Sequence, residues 1–253
     1  MNHHRVATRI PALGRQERDS ELGSDLASAL DATIHQGDSR SHLTQCNNSR
    51  PAGAASEPEQ LVDKSRLTVE ALLGDPEMPD LKKYLATAKG VLIFPQLVKG
   101  GFIIGGEGGS GVFLVKGKDG TWSPPAFYTL AADSIGLQIG GQVSQVVLTV
   151  MNDGAVDAVL KSQFKLGADA SVAVGPIGGG IEASTTTNLG LDVYAFSKNQ
   201  GLFGGGALEG AAIIKRETWN GEYYGGQPTP RDIVIGRKVA NPKADALRAA
   251  LPR

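Results

Sequence analysis

The chain has 253 residues, 41% of them apolar and 20% charged, with a formal net charge of −1. This length and apolar content are enough for one substantial core, while the nearly balanced charge argues against a general nucleic-acid binder, which normally carries a strong basic excess. All four histidines and the only cysteine lie within the first 46 residues, which excludes histidine- or cysteine-based nucleophilic catalysis and His/Cys zinc sites from the rest of the chain.

The first 56 residues are polar, carry mixed charge and show no sustained hydrophobic periodicity, a pattern that favours a disordered leader. An alternative is lipidation of Cys46, because the polar stretch 47–56 resembles the tether of a bacterial lipoprotein. The apolar segment that should precede such a cysteine is missing, and neither a signal-peptide core nor a membrane-spanning run of ~20 apolar residues occurs. We therefore expect a leader at 1–56 and a folded domain at 57–253.

A first helix is predicted over 57–73. Ser56 and Glu59 have the spacing of a capping box, a proline occupies the first turn, and a glycine follows the helix as a stop signal. Lys64 and Arg66 flank an apolar arc at helical spacing, which consists of Leu61, Val62, Val69, Leu72 and Leu73.

Paired glycines between short apolar runs dominate the stretch 90–210, which holds 25 of the 34 glycines. Because glycine tolerates positive φ and close backbone approach, these pairs indicate bent or bulged strands. We expect a mainly β fold with flanking helices (α+β), built as a compact, Gly-rich bent β-sheet or a barrel-like single domain. The further helices are predicted at 80–88, 153–163 and 242–251, and the strands at 90–94, 102–105, 112–116, 121–122, 126–130, 142–151, 170–174, 186–196 and 208–215.

The segment 106–111 matches the pattern G-x-G-x-x-G. A dinucleotide-binding turn of this kind must open a helix whose N-terminus meets the pyrophosphate, whereas here the glycines run into the β-type sequence 112–115. A kinase loop would also require H-R-D and D-F-G motifs, which are absent. We therefore predict a structural glycine turn and no bound nucleotide.

Acidic residues are sparse in the predicted strand region and form no tight D-x-D or E-x-x-E array. Two of them could pair as general acid and base or bind a hard cation, but capping of turns and strand ends is the expected role. We predict no catalytic residue, metal site or cofactor. These acids are Glu107, Asp133, Asp169, Glu182 and Asp192.

Lys82, Lys83, Lys89 and Lys99 form a basic cluster around the second helix and the first strand, and no acidic residue occurs over 81–106. Lysines beside an apolar stripe suit an anionic membrane surface. They equally suit a solvated edge whose lysine stems cover apolar surface, so both interpretations stay open. The aromatic residues could anchor a membrane interface but are more typical of a β core; they are Trp122, Phe127, Trp219, Tyr223 and Tyr224.

A series of short motifs in fixed order resembles the SYLF domain, the actin-regulator domain of yeast endocytic proteins that is also widespread in bacteria. The resemblance covers roughly residues 60–237. The motifs are A-K-G-V at 88–91 with I-F-P at 93–95, K-G-G-F at 99–102, G-S-G-V at 109–112, G-T-W-S at 120–123, S-I-G-L-Q-I-G at 134–140, F-K-L-G-A-D at 164–169, A-V-G-P at 173–176, G-L-F at 201–203 and Y-Y-G at 223–225.

The resemblance implies a bacterial, non-enzymatic member that binds phosphoinositides or other anionic phospholipids at a membrane surface, helped by an amphipathic N-terminal helix. It implies a membrane-peripheral location, periplasmic or envelope-associated. The alternative is a protein-interaction scaffold, like the actin-binding relatives, that uses the glycine-rich β surface. The lipid-binding candidates carried over from the resemblance are Lys64, Arg66, Leu72, Lys82, Lys83, Lys89 and Lys99.

Overall fold

The computed structural model describes residues 55–101, 104–135, 142–161, 163–175, 191–198, 208 and 210–253. Helix α1 spans Glu57–Leu73 and confirms the prediction at both ends. The Ser56 side chain accepts a hydrogen bond from the Glu59 backbone N–H, and the Glu59 carboxylate accepts one from the Ser56 N–H. At the other end the Gly74 N–H donates to the Glu70 carbonyl. Local chemistry alone therefore sets the limits of this helix.

Eight strands within the described residues form one curled, mixed sheet in the order β5-β8-β3-β2-β1-β4-β7-β6. All its described ladders are antiparallel except the parallel pairing of β6 with β7. Together with the flanking helices this gives the predicted α+β domain. The strands are β1 (Gly90–Gly101), β2 (Ile104–Val115), β3 (Ala126–Ile135), β4 (Gln142–Val150), β5 (Gln163–Lys165), β6 (Val172–Val174), β7 (Val193–Ser197) and β8 (Ala212–Lys215).

The prediction of a glycine turn at 106–111 is wrong. These glycines lie inside β2, which runs without a break through the two separate strands predicted there. The opposing strand β1 is irregular in register between Ile93 and Val98 on this side. A Cβ atom on Gly109 would lie 2.1 Å from the Gln96 carbonyl oxygen, and one on Gly111 would lie 2.4 Å from the Phe94 ring. The glycines therefore permit close packing against the bulged part of β1 rather than a reversal of the chain.

Both faces of the sheet are buried, as the alternation along β1 shows. Val91 and Ile93 belong to the core formed with α1, while Leu92 and Phe94 belong to the core on the opposite face. Helix α2 (Leu81–Thr87) packs on the first face through Leu81 and Leu85, and α3 (Asp153–Val159) packs on the second. Apolar runs in β1 and β4 are therefore nearly continuous rather than strictly alternating.

The two outermost strands, β5 and β6, are close in sequence and are joined by a tight turn. Leu166 and Ala170 form an isolated bridge within this turn, and Gly167, whose φ is +83°, donates its N–H to the Ala170 carbonyl. A sheet whose opposite edges are linked by so few residues has to curl strongly, as the prediction of a bent, barrel-like sheet requires.

The C-terminal part of the chain contains several helical elements, and the periodicity of the sequence predicted only the last of them. The prediction of a helix over 242–251 is confirmed as a short 3-10 turn, Pro242–Ala244, followed by α6 (Asp245–Ala250). Helices α4 (Glu217–Tyr224) and α5 (Pro230–Val234) were not predicted. For α5 a signal exists in the sequence, because Thr229 and Asp232 form a second capping box.

The remaining predictions differ from the structure mainly in length. The strands predicted at 90–94 and 126–130 extend further, the helix predicted over 153–163 ends at Val159, and residues 121–122 form only an isolated bridge between Lys116 and Trp122. Part of the strand predicted over 186–196 lies outside the described residues, as do Glu182 and the whole segment 1–54. The expected core aromatics Trp122, Phe127 and Tyr223 are buried.

Candidate functional site

Helix α2 presents two of the predicted lysines to solvent because its other face is fixed to the sheet. Leu81 and Leu85 are completely buried, and the Tyr84 ring makes edge contacts with Tyr194 and Phe196 at centroid distances of 4.6 and 5.4 Å. Lys82 and Lys83 therefore point outward, and Lys89 is exposed immediately before β1. We call Lys82, Lys83 and Lys89 the α2 lysine cluster.

Lys116, immediately after β2, closes the C-terminal end of α2. Its Nζ donates to the carbonyl oxygens of Leu85 at 2.9 Å and Ala86 at 2.8 Å, and it lies 4.7 Å from the centre of the Trp122 ring. Burial lowers the pKa of the Lys116 ammonium, and the Lys89 charge lowers it further. The cluster therefore sits beside a fourth cation that the end of the helix holds in place.

Within the described part of the chain, no carboxylate forms an ion pair with a side chain of the α2 lysine cluster. Several other cations are paired with acids, some over long distances in sequence, such as Arg231 with Asp157 at 2.7 Å. The α2 lysine cluster therefore differs from these cations in having no ion-pair partner among the described residues. The paired cations are Arg66, Lys198, Arg231, Arg237, Lys238, Lys243 and Arg248.

The other lipid-binding candidates lie away from this cluster. Arg66 is bound by Glu70 at 2.9 Å on its own helix, which compensates its charge. Leu72 is completely buried against the sheet, so it could reach a membrane only if α1 left the sheet. Lys99 pairs through its backbone with Gln142 in β4, and its side chain lies outside the described atoms. Sequence spacing brought these residues together, whereas the fold separates them.

Lys64 lines a groove of about 380 Å³ between α1 and the sheet. Its Nζ lies 3.4 Å from the Gln96 side-chain oxygen, and Gln145 donates to the Thr68 hydroxyl at 3.4 Å. A second lysine, Lys198, enters the groove from the end of β7. We call this the α1–β4 groove; its lining residues are Lys64, Leu67, Thr68, Pro95, Gln96, Val143, Gln145 and Lys198.

Two acids of the strand region, Asp169 and Asp192, have structural roles. The Asp192 carboxylate accepts hydrogen bonds from the Asn152 amide at 2.6 Å and from both the N–H and the hydroxyl of Ser171. These bonds, that from Asn152 foremost, lower the pKa of Asp192. Asp169 accepts from the Lys165 N–H at 2.7 Å. The expectation that the acids cap turns and strand ends is confirmed for both residues.

Among the described residues, no group of three or more His, Cys, Asp or Glu side chains is arranged to hold a metal ion. None of the helices in this part of the chain combines the length and the apolar character needed to cross a bilayer.

Comparison with known proteins identifies a family and several relatives. The family model described as "Ysc84: Las17-binding protein actin regulator" matches residues 131–253. Protein YSC84 of Saccharomyces cerevisiae is 37% identical over 166 residues, which cover 64% of this chain and 35% of that protein.

Two further relatives match this chain with similar identity and over a similar share of its length. LAS seventeen-binding protein 3 of Saccharomyces cerevisiae is 36% identical over 172 residues, or 67% of this chain and 37% of the relative. SH3 domain-containing YSC84-like protein 1 of Homo sapiens is 35% identical over 153 residues, or 60% of this chain and 44% of the relative. The match thus spans less than half the length of each of these relatives.

Proposed function

This chain carries a domain of the Ysc84 (SYLF) family, and from that premise we propose that residues 57–253 form a non-catalytic module that binds anionic phospholipid headgroups at a membrane surface. The observation that carries the proposal is the α2 lysine cluster, whose three exposed ammonium groups have no ion-pair partner among the described residues. Binding an anionic surface there breaks no existing ion pair.

The expected affinity is low. A lysine near an anionic bilayer contributes about 1 kcal/mol, so three contribute about 3 kcal/mol, which corresponds to a Kd above about 1 mM. Such binding is screened by salt over a distance of about 8–10 Å. The cluster would therefore respond strongly to the fraction of anionic lipid and to ionic strength, and Lys64 and Lys99 would add to it only where they reach the same surface.

The test is co-sedimentation of the full chain with vesicles of neutral or anionic phospholipid, at lipid concentrations of several millimolar to match the expected affinity, at low and at physiological salt. We expect pelleting with anionic vesicles alone, weakened by salt and by the double substitution Lys82→Glu and Lys89→Glu. The matched control is Lys161→Glu with Lys165→Glu, two exposed lysines on other elements. An equal loss in both variants contradicts the assignment to α2, and no pelleting under any condition contradicts lipid binding itself.

Protein interaction is the second candidate, and the descriptions of the relatives favour it, since they name a Las17-binding actin regulator. In this chain the glycine-rich β surface would provide the contact. Gly100 pairs with Gly106 and Gly101 with Gly105 across β1 and β2, so two neighbouring backbone stretches carry no side chains here. Co-pelleting of the full chain with actin filaments but not with vesicles would support this function over lipid binding.

A further inference from the structure

The α1–β4 groove is separate from the α2 lysine cluster. Lys89 lies at the end of β1 where Gly90 pairs with Val150, whereas Gln96 lies where the neighbouring Leu97 pairs with Ser144. Six strand residues correspond to about 20 Å at a rise of about 3.3 Å per residue. One small ligand cannot contact both places, so binding in the groove and binding at the α2 lysine cluster can be tested by separate variants.

The groove is cationic without a neutralising acid among its own lining residues, which include Lys64 and Lys198 but no Asp or Glu. Asp75 does not line the groove but holds Lys198 in place, because its carboxylate lies 3.7 Å from the Lys198 Nζ. The side chain of Asp75 is only 9% exposed. Asp75 thus orients one of the two ammonium groups that a negatively charged partner would meet, and it compensates part of the charge of that group.

An apolar rim borders these lysines. Leu67, Val98 and Val143 are 53%, 51% and 52% exposed, and they are three of the five large hydrophobic side chains most exposed in the described part of the chain. Val98 and Val143 are direct partners in the β1–β4 ladder, and Leu67 and Val143 both line the groove. Apolar side chains gathered around a concave surface are typical of a binding site rather than of a solvated surface.

We propose that the α1–β4 groove binds a short acidic and apolar peptide segment of a protein partner, with a carboxylate between Lys64 and Lys198 and apolar side chains on the rim. The side-chain amides of Gln96 and Gln145 and the Thr68 hydroxyl can donate to and accept from a peptide backbone. The volume of about 380 Å³ accommodates a few side chains but not the two acyl chains of a phospholipid, so the shape of the groove favours a peptide over a whole lipid.

The experiment selects seven-residue peptides from a displayed random library against the full chain, and then measures binding of the most enriched synthetic peptide by fluorescence polarisation. We expect enrichment of Asp or Glu next to Leu, Ile or Phe. Replacement of both lysines by the neutral variants Lys64→Gln and Lys198→Gln should weaken binding by about tenfold or more, because charge-assisted hydrogen bonds are lost.

A second variant distinguishes a loss of peptide binding from a loss of folding. Leu67→Gln changes a side chain that is 53% exposed on α1. It should therefore leave the thermal unfolding temperature unchanged but still weaken binding of the peptide. The pair Lys82→Glu and Lys89→Glu should leave peptide binding intact, even if it abolishes pelleting with vesicles. Selected peptides without an acidic bias, binding that survives the groove variants, or competition by anionic vesicles through Lys64 and Lys198 would overturn the proposal.

Discussion

Gly109 in β2 lies directly against the carbonyl of Gln96 in the irregular part of β1, so close that a Cβ atom would be 2.1 Å from that oxygen. The same Gln96 contributes its side chain to the α1–β4 groove. The absence of a side chain at one strand position thus permits the path of the neighbouring strand, and that path forms one wall of the groove.

Replacing Gly109 with alanine should therefore destabilise the protein. An added methyl group forces β1 to shift, and overpacking of this kind typically costs about 1–3 kcal/mol of the free energy of unfolding. Gly108→Ala is the matched control, because its Cβ would lie at an ordinary distance of 3.4 Å from the nearest atom, the Leu130 carbonyl oxygen. Urea denaturation of the two variants measures the difference, and equal stability would mean that β1 can adapt without cost.

Local signals in the sequence define the elements more reliably than they define the site. The limits of α1 follow from Ser56, Glu59 and Gly74, which act within one turn of the helix that they terminate. The continuity of β2 through its glycines depends on the approach of β1, which no local pattern encodes. The groove depends on Lys64 and Lys198, which are far apart in sequence and meet only because β7 pairs with β4. No spacing rule could have identified Lys198.

The apolar arc of α1 is a case in which the sequence allowed two interpretations. An amphipathic helix can face a membrane or a protein core with the same spacing. In the structure Val69 and Leu72 are completely buried, and Leu67 is the large apolar residue of this helix that remains exposed. The periodicity identified the apolar face, and only the packing shows that this face lies against the sheet.

We predict that Leu72→Ala lowers the free energy of unfolding by about 2–5 kcal/mol, because it leaves a cavity in a fully buried position. Leu67→Ala, on the same helix but 53% exposed, should change it by less than about 0.5 kcal/mol. Thermal or urea unfolding in the absence of lipid measures both. A Leu72 variant as stable as the Leu67 variant would show that α1 is not held on the sheet in solution, and would return its apolar face to the candidates for membrane contact.

A third prediction concerns acid stability and the Asp192 carboxylate. This side chain connects three places where elements begin: Asn152, which caps α3 by accepting from the Ala155 N–H, Ser171 before β6, and Asp192 itself before β7. Removing the carboxylate by Asp192→Ala leaves these donors without their acceptor. We expect a loss of about 1–3 kcal/mol in the free energy of unfolding at pH 7.

The pH dependence distinguishes this role from simple packing. The pKa of Asp192 is lowered from 3.8 by its hydrogen bonds, with Asn152 foremost, so the folded state binds the proton more weakly than the unfolded chain does. The resulting stability is fully present above the unfolded pKa and is lost as the pH falls through the folded pKa. The stability difference between the wild-type protein and Asp192→Ala should therefore narrow below about pH 4.

Urea denaturation at a series of pH values measures this difference, with Ser171→Ala as a control that removes one hydroxyl donor and keeps the carboxylate. Curves for the wild-type protein and Asp192→Ala that fall in parallel toward low pH would show that the ionised carboxylate does not stabilise this junction.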